Sequence, residues 1–189
     1  VRGRFPDLSQ VDAGTIAEFS GGNARIALAL AGTVKKSETV SGLTNTELFT
    51  RLFQQRHGHD AGLLQIAEAC SLVYSFEGEA LTGENAELPV LGGLIGKTAQ
   101  EVFTAAAELK RRDLLQQRRQ WRAVLPHAIA NRLAAMALQN IPYAVIEAAI
   151  VRGSSERLLR SFSRRLGYLD GSKEAQAIVQ GWLTKDGLL

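Results

Sequence analysis

A chain of 189 residues that is 46% hydrophobic, with a net charge of +3, is long enough to bury a real core as one large domain or two small ones. No apolar run approaches the ~18 residues needed to span a bilayer, and the N-terminus lacks the charged, apolar and small-residue order of a signal peptide; both point to a soluble, cytoplasmic protein. The single cysteine, Cys70, excludes an internal disulfide and sits within LLQIAEACSLV, where a small buried thiol is expected.

Apolar residues recur at spacings of three and four almost throughout, which predicts a mainly α-helical fold. A first helix is expected from about Val11 to Phe19, with Ile16 and Phe19 on one side. Ser20-Gly21-Gly22-Asn23 breaks it, because glycine permits backbone angles that end a helix and Asn23 can cap the next. That second helix, about Ala24 to Val34, buries Ile26, Leu28 and Leu30. Lys35 to Gly42 reads as a polar linker, and Thr44-Asn45-Thr46-Glu47 has the form of a helix start leading into ELFTRLFQQR. These pieces make a small helical unit over residues 1–57.

The turn HGHD, with Asp60 as a cap, opens a second domain over 58–138 and leads into a helix through Val73. EGEALTGENAEL is a polar, glycine-bearing loop, PVLGGLIG a short helix weakened by its glycines, and TAQEVFTAAAELKRRDLL a strong helix with Val102, Phe103, Ala106 and Leu109 inward. Two short extended segments then flank a polar turn, near Leu115 to Arg118 and Trp121 to Leu125, in the manner of a hairpin. Helices followed by a short hairpin give the order of a winged helix with a small β wing. Further helices are expected at about His127 to Leu138, Pro142 to Arg152, Ser155 to Leu166 and Lys173 to Leu183, those after 138 forming a C-terminal helical segment, 139–189.

Several patterns suggest chemistry that their context does not support. GGLIGKT, Gly92 to Thr98, looks like a phosphate loop, but Leu91 stands where the first glycine is required, no strand precedes it, and no apolar run ending in paired acids follows to hold magnesium. His57, His59 and Asp60 carry metal-ligand atoms, yet the only other histidine, His127, is far along the chain, so no four-ligand sphere is apparent. The basic run KRRDLLQQRRQWR sets Lys110, Arg111, Arg112, Arg118, Arg119 and Arg122 against only Asp113. It is either a solvated face or a surface that meets phosphate.

AEFSGGNARIALALA resembles the lid helix of AAA+ and related STAND ATPases, in which a glycine-rich break (here Gly21, Gly22 and Asn23) starts a helix below the nucleotide. The resemblance implies that Arg25 is a second-sensor arginine aimed at the terminal phosphates, a task that suits a permanently charged, forked guanidinium. The alternative is an exposed arginine at a helix start, where the helix dipole opposes its charge. A second stretch, RAVLPHAIANRLA, is similar to the Met-His-Asp segment that ends the winged helix of NB-ARC-type STAND switches. It implies that His127 reaches the β-phosphate of bound ADP; Pro126 and Ala128 replace the flanking methionine and aspartate, so the imidazole lacks the family's carboxylate. The alternative here is a capping or packing histidine.

The resemblance therefore implies the regulatory lid and winged helix of a STAND/AAA+-like signalling ATPase. VRGRFPDLS opens without a recognisable domain start, as expected of a segment of a longer polypeptide. ATP or ADP with magnesium would be bound mainly by an N-terminal nucleotide-binding domain of the same protein, while the isolated chain holds no cofactor and is no enzyme. Homo-oligomers or a protein effector are the implied partners. Two other functions compete with this one: a winged-helix DNA-binding module with Arg118, Arg119 and Arg122 on phosphates, and a protein-interaction scaffold built from the C-terminal helices.

Overall fold

The computed structural model describes residues 3–34, 38–54 and 61–184. The HGHD turn with His57, His59 and Asp60, the first residues of the expected polar linker and the end of ELFTRLFQQR lie outside the described residues.

Helix α1, Gln10–Phe19, begins where the Ser9 hydroxyl accepts from the Asp12 amide at 3.0 Å. At its far end Gly21 and Gly22 take φ of +58° and +80°, the left-handed region that a residue without Cβ enters at little cost. The chain turns into α2, Ala24–Ala31, with Asn23 Oδ1 accepting from the Arg25 and Ile26 amides at 3.0 and 3.2 Å. Helix α2 ends at Gly32, short of the expected Val34. Helix α3, Asn45–Gln54, starts in a reciprocal cap: Glu47 accepts from the Thr44 amide and the Thr44 hydroxyl from the Glu47 amide. Phe19, Phe49 and Phe53 meet edge to face inside this unit.

Asp12 ties the unit together. Its carboxylate is buried and accepts from the hydroxyls of Ser9 and Thr39 at 2.6 and 2.7 Å and from the amides of Val40 and Ser41 at 2.8 and 3.0 Å. The Ser9 hydroxyl, then Thr39 and the two amides, hold its pKa at about 2 against the opposing effect of burial. Asp12→Asn is expected to lose roughly 1–3 kcal/mol near neutral pH. Because the folded pKa is depressed, the carboxylate's contribution is present above its ordinary value of 3.8 and lost as pH falls toward about 2. Urea unfolding of both proteins across that window should show their stabilities converging in acid.

Six elements then follow in winged-helix order: α4 (Ala61–Ser71), β1 (Phe76–Glu77), α5 (Leu88–Gly93), α6 (Ala99–Arg111), β2 (Leu115–Arg118) and β3 (Trp121–Val124). The antiparallel sheet has the order β1-β3-β2, with Phe76 opposite Arg122 and Leu115 opposite Val124. The hairpin and its turn fall where expected; β1 is an addition. Thr98 and Glu101 form a second reciprocal cap at the start of α6. Helix α7, His127–Asn140, packs along α4, and its Arg132 reaches back to Asn45 Oδ1 at 2.7 Å, to Glu18 at 3.3 Å and over the Phe19 ring.

Pro142 occupies the N-cap of α8, Tyr143–Ile146, which continues as a π-helical stretch, Glu147–Arg152. Helices α9, Glu156–Leu166, and α10, Lys173–Trp182, are capped by Ser155 and Ser172. Helix α9 docks on the winged helix through Ser161, whose hydroxyl donates to Ser75 O at 2.6 Å and whose carbonyl accepts from the Tyr74 amide at 3.0 Å. The buried apolar residues from Leu8 to Trp182 form one continuous cluster. Cys70 lies inside it, and burial pushes its thiol up to about 12. No single helix among the described residues is long and apolar enough to cross a membrane.

Candidate phosphate-facing site

The backbone at the Gly21 break comes very close to α7. A Cβ built on Gly21 would sit 2.5 Å from the Ala128 Cβ, so only a residue with no side chain allows this approach. Gly21 is four residues before Arg25, and Ala128 is next to His127. Chain reach therefore places the Cα atoms of Arg25 and His127 within roughly 25 Å of each other. The starts of α2 and α7 are thus neighbours, although the two residues are distant in sequence.

Around His127 the structure gathers groups from three elements. Its ring stacks on Tyr74 at 5.1 Å between centroids and lies 6.4 Å from Tyr168, and its Nε2 is 3.3 Å from Tyr74 Oη. The Arg164 guanidinium covers the Tyr74 ring at 3.7 Å. Arg165 is 0% exposed; its Nη1 donates to Asn131 Oδ1 at 2.5 Å, while its Nε and Nη2 have no partner. No side chain caps the start of α7, and so its first amides keep no intrahelical acceptor. Burial, then the Arg165 and Arg164 charges, push the His127 pKa down. Burial brings Arg165 down to about 10, which leaves it charged at neutral pH. Among the described residues neither Arg164 nor Arg165 makes an ion pair, so the cluster is an excess of positive charge beside an open helix N-terminus, an arrangement suited to an oxyanion.

Arg25 occupies a different environment from the His127 cluster. It is 76% exposed and pairs with Asp113 at 2.8 Å, across a small recess of about 260 Å³ also lined by Arg111 and Arg112. Asp113 holds φ of +60°, which is uncommon for a residue bearing a Cβ, and this turns the end of α6 toward α2. Asn23 already satisfies the first amides of α2, so the anion-attracting groups here are side chains.

Arg118 and Arg119 project from the wing, Arg119 with φ of +54° in its turn. Arg122 does not belong with them. Period-two alternation puts it on the inner face of β3 with Val124, where it is 6% exposed, lies under Gly78 and covers the Phe103 ring at 4.7 Å. Its Nε and Nη1 are unpartnered. An external DNA phosphate cannot reach a guanidinium so enclosed, which removes Arg122 from the candidate phosphate contacts. Trp121, on the opposite face of the strand, is exposed and carries the Arg157 guanidinium over its ring at 4.6 Å.

Arg164 and Arg165 are the main residues of this cluster that no sequence motif singles out. Leu158, Ser161, Phe162, Arg165 and Leu166 all fall on the buried stripe of α9, and that spacing marks Arg165 as an inward arginine. GGLIGKT joins α5 to α6, so a helix precedes it where a phosphate loop needs a strand, and Lys97 is engaged with Glu101 at 3.0 Å. No family model matches the chain, and comparison with curated proteins and with solved structures returns no match.

Proposed function

We propose that this chain is the regulatory helical lid and winged helix of a STAND/AAA+-like signalling ATPase, closing over ATP or ADP held mainly by a nucleotide-binding domain outside these residues. The observation that carries the reading is the Gly21 to Ala128 approach, which brings the start of the lid helix and the start of α7 together. Arg25 supplies an exposed guanidinium, and His127 with Arg164 and the uncapped α7 supplies a second phosphate-seeking surface.

Among the described residues no group of three or more His, Cys, Asp and Glu side chains is placed to hold a metal ion, and the proposal assigns magnesium to the core domain. In the closed state the Arg25–Asp113 pair joins lid to winged helix, and nucleotide exchange biases the two units apart. Separation would expose the faces now joined by Arg132 and Arg112, surfaces for self-association or an effector. The full-length polypeptide should copurify with nucleotide, whereas residues 1–189 alone should neither retain nor hydrolyse it. Hydrolysis by the 189-residue chain, or a full-length protein free of nucleotide, defeats the reading.

Exposed Arg118 and Arg119 favour duplex DNA as the rival ligand. On that reading binding is measurable at low salt and falls steeply as salt rises.

A further inference from the structure

A cavity of about 530 Å³, within the range of small-molecule sites, opens between α3 of the helical unit and α4, α7 and the turn after α5 of the winged helix. Phe53, Leu64, Leu94, Ile95 and Met136 give it an apolar wall. Glu68 also lines it, though the residue is only 6% exposed. One carboxylate oxygen, Oε2, accepts from Asn140 Nδ2 at 3.1 Å; among the described residues Oε1 has no hydrogen bond. The other polar side chains in the lining, Thr46, Thr50, Gln65 and Gln139, are neutral, and among the described residues no lining side chain is a cation.

A carboxyl held in such a place without a counter-charge is costly, and burial accordingly raises its pKa. A core that needed only packing would be served as well by leucine or methionine at this position. The remaining deficits are one cation, a hydrogen-bond donor for Oε1 and hydrocarbon to fill the apolar wall.

We propose that this cavity binds a small hydrophobic amine whose ammonium pairs with Oε1 of Glu68 while its hydrocarbon body lies against Met136 and Phe53. The ammonium's other hydrogens can reach neutral acceptors on Gln65, Gln139 or Thr50. Because α3 forms one side and α4 and α7 the other, an occupant strengthens the junction between helical unit and winged helix, and so biases the arrangement of the two units. The site is separate from the Arg25 and His127 region and stands whether or not a nucleotide core is ever found.

Cyclohexylmethylamine is a suitable probe and cyclohexylmethanol its neutral match; titration calorimetry and ligand-observed NMR on the 189-residue protein near neutral pH give both affinities. The amine should bind saturably with one site, at least about tenfold tighter than the alcohol, and Glu68→Gln should bring the two together. Met136→Trp, which fills the cavity and keeps Glu68, should abolish both. Circular dichroism confirms that each variant is folded; if Glu68→Gln is not, the amine-to-alcohol ratio in the parent and the Met136→Trp result decide. No saturable amine binding, equal affinity for the two probes, unchanged binding by folded Glu68→Gln, or full binding by folded Met136→Trp would each overturn the assignment.

Discussion

Gly21→Ala is expected to destabilise the protein by roughly 3 kcal/mol, while Gly22→Ala, one residue on, should cost about 1 kcal/mol. Both glycines hold positive φ, so both substitutions carry the left-handed penalty. They differ in surroundings. A Cβ at 21 would meet the Ala128 Cβ at 2.5 Å, whereas nothing lies within 4 Å of one at 22. The partner atom is the Cβ of a residue in the first turn of α7, fixed to the backbone and unable to swing aside like the end of a long side chain, so the contact is relieved only by separating α7 from the helical unit. The Arg132 bonds to Glu18 and Asn45 lie along the same junction and should weaken with it. Urea unfolding of the two variants side by side measures the difference. Equal losses at both positions would show that the close approach contributes nothing.

Glu87→Ala should cost about 2–4 kcal/mol, placed below the full penalty for a broken buried pair because the Arg157 side chain is 34% exposed. Glu87 is 3% exposed; it accepts from the Glu77 amide at 2.6 Å and takes both Nε and Nη2 of Arg157 on its two oxygens. Truncation leaves the Glu77 amide without its acceptor and the Arg157 guanidinium with only the Ser75 carbonyl, and it loosens α9 from the start of β1. Helix α9 carries Arg164 and Arg165, so the loss should extend to the His127 cluster: hydrogen exchange at the Tyr74 amide, which donates to Ser161, should rise together with the fall in stability. Glu87→Gln, still an acceptor of the amide proton, should retain part of the stability. A variant as stable as the parent would mean that the Glu87–Arg157 contact contributes nothing to holding α9.

Much of this fold was legible because its helix boundaries are written in local chemistry. Asn23 before ARIALALA, Thr98 three residues before Glu101, and Ser155 and Ser172 before apolar runs all cap the helices they precede. The LQQR and WRAV strands also fell where a change of period placed them. Strand β1 was not legible, since two residues carry no periodicity and Phe76–Glu77 become a strand only by pairing with β3. The π-helical continuation of α8 has no signature in EAAIVR for the same reason. Arg122 was misplaced because a basic run was read as a surface, while the alternation of β3 sets every second side chain inward. Arg165 shows the same effect on a helix. In both cases the residue type suggested water and the periodicity indicated the core.

The approach of the Gly21 turn to the start of α7 could not be read from sequence at all, for it joins residues more than a hundred positions apart. The joint role of Arg25 and His127 is tested most directly by the amount of nucleotide that the full-length polypeptide carries through purification. Arg25→Ala and His127→Ala should each lower retained nucleotide by about tenfold relative to the parent, in proteins whose circular dichroism is unchanged. Parent-like nucleotide content in both variants would contradict a phosphate site shared by the lid and the winged helix.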